Sequence, residues 1–301
     1  MIWQTEKWKK LLIETNQVDK IIQLDNFSIE KRSLWWGQYG LFILGFSGKI
    51  DSKISQNLIE LCKKEQAVFI QIETNNYDEN KIISENNFTE WYYKKFITAN
   101  TAVINVEKDL EEILSVMKPK WRYNIKLSAK KWVVSHIVEK SEKNIKIFYD
   151  LMNETTSRDN FSWNTFQYYS KFLNIIEDSE LILAYKDGIA IAWGIFIFWK
   201  NTSIYYYWAS TSKKEYRNLM APYSVQYLAI EEAKNRGSEI YDFLWIAGKN
   251  EQNSELAWVT DFKLKLTKDT RDVSQSFIWI NKRFHYTVLV LIRKIKKILK
   301  K

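Results

Sequence analysis

A mixed α/β fold in two domains is what this sequence predicts, and three observations carry the prediction. The chain has 301 residues, which is about two domains at ~150 residues each. Apolar residues make up 46% and charged residues 27%, an ordinary globular composition with enough apolar chain for two cores. Strand-like and helix-like periods interleave along the whole length, with antiparallel hairpins beside a few helices in each half. That pattern reads as α+β, or as α/β with mixed sheets. Two prolines and eight glycines leave no room for a flexible linker, and 16% aromatic content argues against intrinsic disorder.

The elements follow in order. Residues 5–15 read as a helix opened by Thr5, and residues 18–24 and 27–36 as strands. The stretch 37–48 holds four glycines and reads as a turn-rich strand pair. Helix 52–65 and strand 67–73 come next, and a strand at 101–106 is expected to end the first unit. Helix 109–117 precedes a basic helix at 119–131, where Pro119 suits a first helical position. The second series has strand 132–138, helices 142–157 and 164–177, and strands 180–187, 189–199 and 203–210. Helix 218–236 stops at Gly237, a normal C-terminal cap. Strand 239–245, helix 254–261 and strand 273–280 complete it. The two halves look like variations on one plan, without a residue-level repeat.

Charge is unevenly placed. The formal net charge is +9, yet Lys282–Lys301 holds eight basic residues and no acid. The body is therefore nearly neutral and the tail basic. In that tail Val288, Leu289, Leu291, Ile292, Ile295, Ile298 and Leu299 recur at helical spacing between the lysines. This is a basic amphipathic helix that docks on the protein, lies on a membrane surface, or does both. A second cluster, Lys118, Lys120, Arg122, Lys126, Lys130 and Lys131, is either a phosphate-attracting face or a solvated one.

Several classes drop out. No phosphate-binding G-x-x-x-x-G-K-[ST], dinucleotide G-x-G-x-x-G or nucleophile-elbow G-x-S-x-G occurs. One cysteine and two histidines supply no typical structural zinc site, so no metal is expected. Cys62 reads as core, and His136 and His285 as structural or surface residues. The charged N-terminus lacks a signal peptide's apolar stretch, and no window approaches a membrane span, so a cytoplasmic, reduced protein is expected.

Four segments carry a resemblance. Met117-Lys-Pro-Lys-Trp-Arg-Tyr-Asn-Ile-Lys-Leu-Ser-Ala-Lys-Lys131 resembles the K-x-R-[YN]-N-I-[RK]-x-A-x-K helix of the Fem family (FemABX) of peptidoglycan-bridge peptidyltransferases. Ala221-Pro222, Glu231-Glu-Ala-Lys-Asn-Arg-Gly237 and Tyr241-Asp-Phe243 are similar to its A-P…A-x-x-x-G-x-x-x-Y-D-F pattern. Asp261-Phe-Lys263 resembles its downstream F-K element, and Gln4-Thr…Trp8 is a fainter echo of its opening Q-S-x-x-W. The sequence departs from the family where Trp245 replaces a glycine after Y-D-F and where Leu264-Lys-Leu-Thr267 replaces x-x-F-G. It also reads Trp35-Trp-Gly-Gln-Tyr39 where R-G-P is common.

The resemblance implies two tandem GNAT-like acyltransferase domains, each a mixed, mostly antiparallel sheet flanked by helices. The expected division is 1–107 plus 275–301, with the basic helix returning, and 108–274. No coiled-coil arm is present in the sequence pattern, so this is an armless member. It implies an aminoacyl-tRNA donor, an acceptor muropeptide on UDP or on lipid II, an inner-membrane-face location and a monomer. An acetyl-CoA loop fits poorly at Arg217-Asn-Leu-Met-Ala-Pro222, because Met220 stands where a glycine is needed and Pro222 removes an amide donor. No cofactor is therefore expected.

The reaction that the resemblance implies is ester aminolysis, which needs a cation for the developing oxyanion. The family's F-K lysine carries that role onto Lys263, against the alternative of a surface lysine. Arg158, in Ser157-Arg-Asp-Asn-Phe161, resembles the family's R-x-x-F and is either a phosphate fork or a surface salt-bridge residue. Arg122 and Lys126, one helical turn apart, are candidates for tRNA or nucleotide phosphates, and Tyr216 and Arg217 complete the substrate-binding set. Asp242 is either a proton acceptor or a structural carboxylate. Tyr205-Tyr-Tyr-Trp208 either stacks a base or packs the sheet. Two other readings stay open: a GNAT-type N-acyltransferase acting on a polysaccharide or another amine, and a non-catalytic nucleic-acid or membrane-surface binder.

Overall fold

The computed structural model describes residues 2–48, 50–75, 87–159, 163–248 and 257–299. The first elements are α1 (Glu6–Glu14), β1 (Lys20–Leu24), β2 (Phe27–Ser33), β3 (Tyr39–Phe46), α2 (Ser52–Lys64), β4 (Phe69–Thr74) and β5 (Thr89–Glu90). Next come β6 (Asn100–Asn105), α3 (Leu110–Val116), α4 (Pro119–Lys130), β7 (Val134–Val138), α5 (Glu142–Asp159), α6 (Phe166–Ile175), β8 (Ser179–Lys186), β9 (Ile189–Trp199) and β10 (Thr202–Ser210). The last are α7 (Lys214–Arg217), α8 (Ala221–Asn235), β11 (Ile240–Asp242), α9 (Ala257–Lys263), β12 (Thr270–Asp272), β13 (Ser276–Ile280) and α10 (Arg283–Leu299).

Two compact units result: Met1–Ala99 with Asp272–Lys301, and Asn100–Arg271. The first carries a sheet ordered β1-β2-β3-β4-β13-β5, the second a sheet ordered β12-β6-β11-β10-β9-β8-β7. One plan underlies both. In unit 1 an antiparallel run β1-β2-β3 meets β4 in parallel, and β13 returns antiparallel. In unit 2 the antiparallel run β7-β8-β9-β10 meets β11 in parallel, and β6 follows antiparallel. The crossover between the parallel strands is α2 in one unit and α8 in the other, as parallel pairing demands.

Local chemistry sets the ends. Thr5 accepts from the Trp8 amide at 3.2 Å and opens α1, as expected. Asp51 does the same for α2 through the Ile54 amide at 2.8 Å. Gly237, at φ 75, ends the α8 segment. The core of unit 1 gathers Ile29, Leu41, Ile43, Leu58, Ile70 and Ile72; that of unit 2 gathers Trp121, Ile182, Phe196, Tyr205, Ala229 and Tyr241.

Five expectations are corrected. Strand 27–36 stops at Ser33, because Trp36 (φ 56) and Gly37 (φ 65) are left-handed and close a hairpin. The stretch 37–48 contains one strand, β3, rather than a pair; its Gly40 lets the Phe69 ring pack where a Cβ would meet it at 2.8 Å. Helix 218–236 starts only at Ala221, because Met220 turns left-handed at φ 58 and separates it from the short α7. The strand near 101–106 opens unit 2, since β6 pairs with β11, so the boundary expected at 107/108 falls at 99/100. Strand 273–280 starts only at Ser276, as β13; the preceding β12 (Thr270–Asp272) belongs to the other sheet, and the second boundary moves from 274/275 to 271/272. Helix 254–261 is met by α9 from Ala257, and 254–256 lie outside the described residues.

Candidate active site

The C-terminal end of β11 and the end of α9 build one buried site in unit 2. Asp242 is the last residue of β11 and is fully buried. Its Oδ1 accepts from the Thr101 hydroxyl on β6 and from the Leu244 amide at 2.7 Å. Those bonds fold the chain sharply after the strand. Leu244 (φ 49) and Trp245 (φ 31) both take left-handed backbone. Such residues cost of order 1–3 kcal/mol each when they are not glycine. Here the turn aims two carbonyl oxygens at one point.

Lys263 occupies that point. Its Nζ donates to the carbonyls of Leu244 at 2.8 Å and Trp245 at 3.1 Å. The Trp208 ring lies over the ammonium, 5.0 Å from Nζ to centroid. Lys263 is fully buried, which overturns the surface-lysine alternative. Burial pushes its ammonium down to about 7, against the pull of the Asp242 carboxylate that raises it. A lysine poised near neutrality beside a carboxylate is the kind of group active sites assemble.

Aromatic packing holds α9 in the orientation that turns Lys263 inward. Phe262 packs tilted against Trp121 of α4 at 5.3 Å, and Trp121 against Tyr223 of α8 at 4.2 Å. The Thr260 hydroxyl accepts from the Ala247 amide at 2.8 Å and ties α9 to the strained turn. Leu266, standing where the family pattern has phenylalanine, is fully buried in the same core. The Thr267 hydroxyl accepts from the Asp269 amide at 3.0 Å.

The other expected residues are placed as follows. Arg122 donates to the Ser115 carbonyl at 3.1 Å, and Lys126 is exposed one turn further along α4. Tyr216 packs on the unit 2 core, while Arg217 is exposed on α7 and makes no ion pair among the described residues. Arg158 lies in the last turn of α5 and its side chain is outside the described residues. Of the sequence-derived set, the structure joins Lys263 with Asp242. Tyr205, Tyr206 and Tyr207 pack against Phe196 and Phe172 as sheet residues, whereas Trp208 of the same run reaches the site. Sequence reasoning missed Thr101 and the two carbonyls; Thr101 lies far from Asp242 in the chain, and a carbonyl has no residue type to signal it. Among the described residues no group of metal ligands occurs, and the Cys62 thiol is pushed up to about 12 by burial.

The FemAB family model matches residues 86–187 and 175–294. A search of curated proteins finds no match. Among solved structures, the crystal structure of FemX aligns at TM-score 0.79 with 16% identity, covering 96% of this chain and 94% of that one. L-PGS from Bacillus licheniformis aligns at TM-score 0.56 with 12% identity over 96% of this chain and 95% of its own. At these identities the structural likenesses speak for the fold alone, two mixed sheets flanked by helices.

Proposed function

The chain belongs to the FemAB family, and from that premise we propose that it moves an amino acid from aminoacyl-tRNA to the amine of a peptidoglycan-precursor stem peptide. The observation that carries this reading is the buried Lys263. An ammonium has three donors. Two are spent on the carbonyls of Leu244 and Trp245, which leaves one for a reacting carbonyl oxygen. In the reaction the acceptor nitrogen attacks the aminoacyl ester carbon, and negative charge grows on the carbonyl oxygen. The third N–H of Lys263 stabilises that charge in a buried, low-dielectric site. The C–N bond then forms, the ester C–O bond breaks, and the amine proton passes to the departing ribose oxygen. The ester is already activated, so the reading calls for no coenzyme A.

Asp242 acts as a positioning residue. It fixes the turn that presents the two carbonyls, and its charge favours the ammonium form of Lys263. The Trp208 ring covers the lysine. Trp245, whose carbonyl binds Lys263, rests its own ring against Tyr206, 6.0 Å between centroids, and narrows the approach of the ester. A lipid-linked acceptor is favoured by the basic tail.

The test is transfer of label from a pool of radiolabelled aminoacyl-tRNAs to a lysine-containing UDP-muropeptide and to its lipid-linked form. Lys263→Ala is expected to lower transfer about 100-fold or more. No transfer to either acceptor by folded protein, with thermal stabilisation by an acyl-CoA instead, would move the assignment to another N-acyltransferase.

A further inference from the structure

Unit 1 carries a surface that the chemistry at Lys263 does not use. Helix α10 docks through Tyr286 and Leu289, both buried; Tyr286 packs edge-on against Phe69 at 5.7 Å. Docking leaves the opposite stripe bare. Phe284, Leu291 and Ile295 are exposed, at 76%, 52% and 54%, and follow one another at helical spacing. Arg283, Lys294 and Lys296 flank them, and Lys282–Lys301 contains no acid to offset that charge.

The same helix borders an aromatic, cationic cavity. Lys296 Nζ sits 3.3 Å from the centroid of Trp35, at the tip of the β2–β3 hairpin. Arg293 lies over Tyr93 at 5.4 Å. Between them opens a cavity of about 510 Å³ lined by Arg32, Trp35, Phe42, Tyr93, Lys94 and Phe96. Arg32 is ion-paired to Glu30 at 2.6 Å. Lys94, Arg293 and Lys296 form no ion pair among the described residues. Burial, then Arg32 and Arg293, push the Lys94 ammonium below its usual range against the weaker pull of Glu73, as expected where cations outnumber acids. Next in the chain to lining residues Trp35 and Tyr93, Trp36 is 72% exposed and Trp91 and Tyr92 also face solvent.

Exposed tryptophan, an apolar helical stripe and uncompensated lysines together match a membrane–water interface. We propose that this face of unit 1 docks on an anionic phospholipid surface: the α10 stripe and Trp36 enter the interface, and the Lys94 cavity seats a lipid phosphate. The net charge of the helix selects the bilayer over a neutral apolar partner, since each basic residue gains from a negative surface. The surface lies wholly in unit 1, and the proposal needs no transfer activity.

The experiment is co-sedimentation of the full chain with phosphatidylcholine vesicles and with vesicles doped with phosphatidylglycerol. Binding is expected to the doped vesicles only, and to weaken with salt. Lys94→Gln with Lys296→Gln should lower partitioning about 30-fold, at about fivefold per basic residue. Trp36→Gly should weaken binding while suiting its left-handed backbone, and Leu291→Ser with Ile295→Ser, both at exposed positions, should do the same. Unchanged melting of each variant confirms that it folds. Glycerol phosphate and tRNA serve as soluble competitors. Equal binding to both vesicles, unchanged binding by all variants, or saturation of the Lys94 cavity by tRNA or by glycerol phosphate in preference to vesicles would each overturn the proposal.

Discussion

Each unit places a buried carboxylate near the C-terminal end of the inner strand of its parallel pair, and the two are used differently. In unit 1, Glu73 of β4 accepts from the amides of Phe96 and Ile97 at 3.0 and 2.6 Å and from Gln71 at 2.7 Å. Burial pushes its carboxyl up to about 7 even against those donors. In unit 2, Asp242 of β11 holds a strained turn and faces a buried lysine whose ammonium is pushed down to about 7. The first carboxylate pins a loop to a sheet. The second builds the socket of a cation. The crossover helices differ in parallel: Asp51 closes the start of α2 with its own carboxylate, while α8 begins at left-handed Met220 followed by Ala221 and Pro222. Neither start offers the run of free amides that a pyrophosphate requires. One plan, used twice, thus carries a buried lysine and carboxylate at a strained turn in one copy and a loop-anchoring carboxylate in the other.

The comparison breaks most sharply at the lysine. Beyond the loss of transfer expected for Lys263→Ala, Asp242→Ala should cost about 3–5 kcal/mol, because it strands a buried ammonium and two donors. Urea unfolding measures this, and a loss below about 1 kcal/mol would show that the pair is not coupled.

Next in size is the dependence of stability on pH, where the two units should have opposite signs. Glu73 has a folded pKa raised from 4.5 to about 7, so its contribution is complete below 4.5 and is lost as pH rises through about 7. Lys263 has a folded pKa lowered from 10.5 to about 7, so its contribution is complete above 10.5 and is lost as pH falls through about 7. Melting across pH in Glu73→Gln should lack the first slope and keep the second. Retention of both slopes would remove Glu73 from the account.

The smallest effect is expected at Trp245. Trp245→Gly relieves a left-handed backbone while giving up the Tyr206 contact, so stability should change by no more than about 1 kcal/mol. Transfer should rise with bulkier acceptors. A fall with every acceptor would show that the indole binds substrate instead of narrowing its approach.

Much of the architecture was legible in the chain. Thr5, Pro119 and Gly237 mark helix ends through chemistry local to a few residues, and the structure keeps all three. Membership of a sheet is not local. The strand at 100–105 looks like the end of one unit and opens the next, because its partner β11 lies far downstream. Likewise nothing local shows that β12 at 270–272 and β13 at 276–280, a few residues apart, belong to different sheets. At the site, Lys263 is one of 45 basic residues, and family resemblance singled it out where composition does not. Its socket was illegible for a physical reason: leucine and tryptophan disfavour the left-handed backbone that Leu244 and Trp245 adopt.

The central claim is that Lys263 works as a cation, and the pH dependence of kcat/KM for aminoacyl transfer tests it most directly. The guanidinium introduced by Lys263→Arg stays charged at every pH, so the ratio of wild type to that variant isolates the lysine from the titration of both substrates. The account predicts that this ratio falls as pH rises through about 7, the value to which burial lowers the ammonium. A ratio that climbs through the same pH would mean that the neutral amine is the working form, and Lys263 would then be a base rather than the oxyanion's partner.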